Sequence, residues 1–288
     1  MQEKIGDILE SIGYPSDLRA LPESRLEEVC ASLRRFIINE VSSHPGHFAS
    51  SLGAIELTVA LHYVYNTPED RIVWDVGHQA YVHKIITGRR EWFKTLRTYG
   101  GMSGFPKRSE SAHDAFGAGH SSTSVSAAVG MAVARDLQGE DYDIVAVIGD
   151  GSMTGGMAFE ALNNAGDLQK NMIVVLNDNE MSISKNVGAM SEYLNNLRTG
   201  ETYNKVKADL EGWLKNLSVG ADVLKVLRRV KTSAKYLVLP TSLFEELGFT
   251  YLGPVDGHDI NGLIEILSAA RRIEGPVLVH VLTVKGKG

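Results

Sequence analysis

Ile144-Val145-Ala146-Val147-Ile148 runs straight into Gly149-Asp150-Gly151-Ser152, and Ile173-Val174-Val175-Leu176 runs into Asn177-Asp178-Asn179-Glu180-Met181. Each is a short apolar run, rich in β-branched residues, that stops abruptly at a polar turn. Continuous rather than alternating apolarity is what a strand covered on both faces requires, so both runs are read as strands of a buried parallel sheet. Val277 to Leu282 is a third run of the same kind. Helical periodicity fills the intervals, from about Ser124 to Leu137, Gly156 to Ala165, and Gly262 to Arg272, the last with Asp259 or Asn261 as its cap. Strands alternating with helices predict an α/β fold, a doubly wound and mostly parallel sheet flanked by helices.

Towards the N-terminus, Ser24 and Glu27 have capping-box spacing ahead of Leu26, Val29, Leu33, Phe36 and Ile37, which fall on one helical face. Leu52 to Tyr65 repeats that behaviour with Leu52, Ile55, Val59 and Tyr63. Between about residues 186 and 240 the pattern changes, with charges interleaved with Tyr203, Trp213 and Leu217 and no run resembling a sheet strand. This stretch is expected to be a mostly helical excursion that could be mobile and open to proteases.

With 288 residues, 43% hydrophobic and 22% charged, the chain can bury a core of its own. A net charge of -6 offers no general attraction for nucleic acid or an anionic membrane, so anion binding has to be local. Met1-Gln2-Glu3-Lys4 leads into a mixed polar segment, and no apolar stretch approaches the roughly 18 residues of a membrane span. A cytoplasmic location follows as an expectation. Cys30, the single cysteine, occupies an apolar helical position and reads as a small buried hydrophobe.

Acidic residues between glycines at a strand's C-terminal end lie where open α/β sheets bind ligands, and the glycines let a phosphate approach the backbone. Gly-Asp-Gly alone is more often a plain turn. The pairing of two such strand ends changes that. Asp150 and Asn179 supply hard oxygen donors, and a backbone carbonyl near Met181 could add another. A diphosphate would complete the near-octahedral shell that Mg2+ prefers.

With Asn179 placed 29 residues after Asp150, these motifs resemble the thiamine-diphosphate signature. The usual tandem Asn-Asn is replaced by Asn177-Asp178-Asn179, so the metal role is carried to Asn179 and Asn177 is left structural. Further segments resemble the 1-deoxy-D-xylulose-5-phosphate synthase family more closely than transketolase: Gly46-His47-Phe48-Ala49-Ser50-Ser51-Leu52-Gly53, Trp74-Asp75-Val76-Gly77-His78-Gln79-Ala80-Tyr81, Gly119-His120-Ser121-Ser122-Thr123-Ser124, and Gly253-Pro254-Val255-Asp256-Gly257-His258-Asp259.

The resemblance implies a diphosphate-binding domain spanning 1–288, with the pyrimidine-binding and C-terminal domains absent. It implies cofactor contacts at His78, Gly119, His120, Ser121, Gly151, Ser152 and Asn179, metal ligands at Asp150, Asn179 and Met181, and catalytic roles for His47 and His120. It also implies condensation of pyruvate with D-glyceraldehyde 3-phosphate, with loss of CO2, in a homodimer when complete. The isolated chain is expected to be inactive or nearly so, since the activating glutamate belongs to the missing domain. The alternative is the N-terminal subunit of a split transketolase-like enzyme. A nucleotide-binding reading is weak, because no Gly-x-x-x-x-Gly-Lys-Ser/Thr loop and no Gly-x-Gly-x-x-Gly after a strand occurs.

The other histidines read as structural. These are His62, His83, His113, His280 and His258, the last beside Asp259, which is better used as a cap. Arg89-Arg90 and Lys107-Arg108 could bind phosphate, but paired basic residues are more often a solvated face, and they carry no assigned role. Val284-Lys285-Gly286-Lys287-Gly288 resembles the family's turn over the cofactor.

Overall fold

The computed structural model describes residues 8–42, 46–181, 187–199 and 243–288. Five strands form one all-parallel sheet in the order β1-β2-β3-β5-β4: β1 Arg71–Trp74, β2 Ile144–Gly149, β3 Met172–Asp178, β4 Thr250–Asp256 and β5 Pro276–Leu282. The three apolar runs expected to be strands are the three internal ones.

The two strands that went unread are the edges, and each has a reason to be quiet in sequence. β1 is only four residues long. β4 contains Gly253-Pro254, and its register with β5 shifts between Leu252 and Val255; proline lacks the N–H of an internal ladder and is confined to edges and bulges.

Side chains along each strand alternate between two cores. Val145, Val147, Ile173, Val175, Val277 and Val279 pack with the helices Leu26–Val41, Ile55–Val64 and Ile260–Ala270. Ile144, Ala146, Ile148, Val174 and Leu176 pack with Ser124–Gln138 and Gly156–Leu168. The division follows from handedness. β1, β2 and β3 step across the sheet in one direction, whereas β4 to β5 steps back. Right-handed crossovers therefore place Ile260–Ala270 on the opposite face from the two helices that connect β1, β2 and β3.

Local expectations fared unevenly. Asp259 does cap Ile260–Ala270, accepting the Gly262 N–H at 3.1 Å. The Ser24/Glu27 box does not form. Glu23–Arg25 is already a 3-10 turn, so Ser24 lacks the extended backbone an N-cap needs, and the helix begins at Leu26 with no side-chain cap. The single helical pattern from Leu52 to Tyr65 is two helices, Phe48–Gly53 and Ile55–Val64, broken at Ala54. The second is buried along Ile55 to His62, so it lacks the polar face of an amphipathic surface helix. Within the expected excursion, Ala189–Thr199 is a helix, and 200–242 lies outside the described residues.

Cores this closely packed discriminate between two helical glycines. A methyl at Gly166 would sit 1.7 Å from the Leu247 carbonyl oxygen, while one at Gly130 meets nothing within 4 Å. We expect Gly166→Ala to destabilise the chain by about 1–3 kcal/mol through overpacking. Gly130→Ala should stabilise it by about 0.5–1 kcal/mol through higher helix propensity. Urea midpoints for both variants check the opposite signs.

Candidate functional site at the strand ends

β1, β2 and β3 all deliver an aspartate at or just after their C-terminal ends, and the surroundings treat the three differently. Asp75, 1% exposed, accepts the Ser122 N–H at 2.9 Å on one oxygen and the Ser124 N–H at 3.0 Å on the other. It thereby satisfies amides at the start of Ser124–Gln138 and holds the Gly119-His120-Ser121-Ser122 turn against β1. The Ser122 hydroxyl then donates to the Ser152 carbonyl at 2.8 Å, tying that turn to the Asp150–Met153 helical turn after β2.

Asp178, at the end of β3, accepts from His280 Nε2 at 3.0 Å, and the Tyr251 hydroxyl lies 2.8 Å from His280 Nδ1. Burial alone would raise the Asp178 carboxyl; its hydrogen bond to His280 and the imidazole's charge outweigh that and hold it below the usual range. For Asp150 the balance runs the other way. Burial first, and then the facing Asp178 carboxylate, push it up to about 7, against the pull of the Gly151 and Asn179 backbone amides. Two buried carboxylates on neighbouring strands, one with its charge disfavoured, form a site whose electrostatics a cation would complete.

The donor set fits a hard divalent cation only with help. Among the described residues no three His, Cys, Asp or Glu side chains converge as a metal cluster, so amide, carbonyl and ligand oxygens have to fill the shell. Asn179 Oδ1 accepts the Met181 N–H at 3.0 Å, which closes the turn after β3 and leaves the amide oxygen a second lone pair. Met181 itself is exposed. A cavity of about 610 Å³ opens on Asp150, Asp178 and Glu180 and is lined on its far side by Ser191, Glu192 and Asn195 of Ala189–Thr199. Asn177 plays the structural part expected of it, accepting from the Thr283 hydroxyl at 2.6 Å.

A second group gathers around His78. The chain leaves β1 through Val76 at φ 57° and Gly77 at φ 82°. A β-branched residue in the left-handed region costs about 1–3 kcal/mol and persists only where its surroundings force it. Gly77 has no such choice, because a Cβ there would lie 2.3 Å from Pro106 Cδ. The sharp turn sets the His78 ring 5.7 Å from the His47 ring, edge to face. Arg97 Nη1 reaches His47 Nδ1 at 3.4 Å, and Phe105 packs at 5.4 Å from the His47 ring.

Burial, then Arg97 and Lys285, lower His47. Burial, then His47 and Lys285, push His78 down to about 4. Among the described residues His78 Nδ1 and Ser124 Oγ are buried without a hydrogen-bond partner, as atoms facing a polar ligand would be. His120 and Ser121 are exposed on their turn, while Gly151 and Ser152 are half-buried.

The histidines read as structural are tied into hydrogen bonds. His62, His83, Asp114 and Arg89 form a buried chain, with His62 to His83 at 2.9 Å, His83 to Asp114 at 2.8 Å and Arg89 bidentate on Asp114 at 2.7 and 2.8 Å. Arg89 is therefore not solvated charge, contrary to the expectation from its sequence. Its guanidinium is buried because a fully paired carboxylate meets it there. Asp75 and Asp178 are carboxylates around the site that the sequence reading passed over. Their signal was position at a strand end, equal to that of Asp150.

The sheet and its topology define an α/β domain with a transketolase-like fold. Transketolase from Leishmania mexicana superposes with a TM-score of 0.62 at 19% identity, over 97% of this chain and 37% of that one. Transketolase from Campylobacter jejuni gives 0.60 at 21%, over 96% and 37%. Sequence is more specific: residues 9–283 match the family model for 1-deoxy-D-xylulose-5-phosphate synthase. The chain belongs to that family. It is 60% identical over 285 residues to 1-deoxy-D-xylulose-5-phosphate synthase of Carboxydothermus hydrogenoformans, covering 99% of this chain and 46% of that protein. The Pelotomaculum thermopropionicum synthase is also 60% identical, with 99% and 45% covered. The chain thus spans a little under half the length of these relatives.

His78 and His113, both pushed to about 4 with burial the main cause, set a pH dependence. Their folded values lie below the ordinary 6.5, so the unfolded chain takes up these protons first. Stability from this source is intact above about pH 6.5 and falls as pH drops towards 4. Proton NMR should show both rings titrating near pH 4; titration of either near 6.5 contradicts the burial assigned to it.

Proposed function

We propose that this chain is the diphosphate-binding portion of a 1-deoxy-D-xylulose-5-phosphate synthase, holding thiamine diphosphate through Mg2+ at the C-terminal ends of β2 and β3. The observation that carries the reading is the buried Asp150 facing Asp178, with the Asp150 charge disfavoured until a cation arrives. Asp150, the Asn179 amide oxygen and the Met181 carbonyl would hold the metal. The Gly119-His120-Ser121 turn, Gly151 and Ser152 would meet the diphosphate, with the amino end of Ser124–Gln138 adding a favourable dipole.

Bound there, the cofactor would supply the electron sink that amino-acid side chains lack. The residues of this chain orient and move protons. His47, lowered from its usual value, is neutral at pH 7 and able to accept a proton, and His120 on its exposed turn is open to substrate. The reaction proposed for the complete enzyme joins pyruvate to D-glyceraldehyde 3-phosphate with release of CO2, in a cytoplasmic homodimer. Among the described residues no helix is long and apolar enough to cross a membrane.

Asp150→Ala removes a charged oxygen ligand while the anionic diphosphate remains. Calorimetric titration with thiamine diphosphate and Mg2+ should show binding to the native chain and none to the variant. Equal affinity would take Asp150 out of the metal site.

This half grips only one end of the cofactor in the proposed arrangement, and the glutamate that activates the aminopyrimidine belongs to the other half. The 288-residue chain alone is expected to release no CO2 from pyruvate and glyceraldehyde 3-phosphate. Loss of a required proton-transfer group typically lowers rates by about 100- to 10,000-fold. Adding the pyrimidine-binding portion should restore turnover. Robust turnover by the chain alone would contradict this division of labour.

A further inference from the structure

His258 lies outside the assigned site, yet it joins three segments distant in sequence. Its Nε2 is 2.9 Å from the Val284 backbone nitrogen, and its Nδ1 is 3.1 Å from Glu56 Oε2. A backbone N–H can only donate, so Nε2 is the acceptor. The ring proton then sits on Nδ1 and points at the Glu56 carboxylate. Glu56 is itself buried and paired with Arg34.

Arg34 also donates to the Lys287 carbonyl, and to that of Leu52 at 3.2 Å. The Gly286 N–H donates to the Ala49 carbonyl at 2.8 Å. Gly53 completes the fit, since a Cβ there would lie 2.8 Å from the Val284 carbonyl oxygen. Residues 284–287, which follow the last strand, are thereby clamped onto the helix Phe48–Gly53, which begins directly after His47.

We propose that His258 is a positioning residue: as the Nδ1–H imidazole it latches the Val284–Lys287 loop to Glu56, and so holds the Lys285 ammonium beside the His47–His78 ring pair. The latch is a chain of oriented donors and acceptors. Glu56 fixes the tautomer, Arg34 holds Glu56 and the far end of the loop, and His258 holds its near end. Lys285 lies between Val284, held by His258, and Gly286, held by Ala49, with its Cα 3.2 Å from where a Cβ at Gly53 would sit, and from there its charge lowers both imidazoles. A cation at that position favours an anionic ligand and keeps the two rings neutral. The inference rests on the proposed function only for the identity of that ligand.

Two replacements separate the halves of the imidazole. His258→Gln keeps an acceptor near Nε2 and can still meet Val284. His258→Asn keeps a donor near Nδ1 for Glu56 but cannot reach Val284. Hydrogen exchange of the Val284 amide, read in the 288-residue chain without cofactor, should quicken about tenfold in His258→Asn and stay near native in His258→Gln.

His47 reports on Lys285. Among the described residues, the charged and titratable groups facing it are Arg97, His78 and Lys285, with the Tyr81 hydroxyl at its backbone N–H. NMR titration should place His47 about 0.3 pH unit higher in both His258→Asn and Lys285→Met. Only the first variant should alter Val284 exchange. Equal Val284 exchange in His258→Asn and the native chain overturns the latch, as does equal loss of protection in the Gln and Asn variants. An unmoved His47 in Lys285→Met also overturns it, because the cation is then not held where the proposal places it. These readings need no cofactor, so failure of the chain to bind thiamine diphosphate would count against the proposed function and leave the latch standing.

Discussion

A parallel sheet has to be covered on both faces, and the rest of this structure follows from how that cover is assembled. Crossovers are right-handed, so helices reach the second face only if the chain reverses its direction across the sheet or supplies them from elsewhere. Here both happen. The return step from β4 to β5 brings in Ile260–Ala270, and the N-terminal helices Leu26–Val41 and Ile55–Val64 arrive before the first strand. Once the two cores are packed, the strand ends are fixed in register, with Gly149 paired to Asn177 and Asp178 to Leu282.

That rigid frame sets the chemistry of the acidic strand ends. The same side chain meets three different fates because the neighbouring element differs. Asp75 meets free amides of a helix start, which makes its charge a structural bolt. Asp178 meets His280 from β5 and is held ionised. Asp150 is buried facing Asp178, and its charge is disfavoured despite the Gly151 and Asn179 backbone amides. The hydrogen bonds of the first two tie the frame together, and the third is the one whose charge the fold disfavours. Asp75 and Ser122 couple these fates mechanically, linking β1, the glycine-serine turn and the turn after β2 through hydrogen bonds of 2.8 to 3.0 Å.

The histidine side of the site depends on strain and burial more than on charge pairs. Val76 and Gly77 turn the chain sharply enough to bring His78 under His47. Lys285 approaches from the opposite end of the chain by way of the His258–Glu56 latch. Elsewhere the buried chain of His62, His83, Asp114 and Arg89 shows how this fold treats polar groups without a ligand role, pairing them with one another.

By itself the sequence determined the fold class, the three internal strands, the helices between them and the residues Asp150 and Asn179 at neighbouring strand ends. Continuous apolar runs and glycine-flanked carboxylates leave a local signature there. The motif resemblance likewise carried the family. Tertiary structure alone decided the edge strands, where short length and Gly253-Pro254 erase the apolar pattern, and the break at Ala54, where Gly53 is pressed against a carbonyl 231 residues away at Val284. It alone separated the roles of Asp75, Asp150 and Asp178 and showed Arg89 to be buried. Charge state, hydrogen-bond partners and burial depend on groups brought together from distant positions, and no local pattern encodes who those neighbours will be.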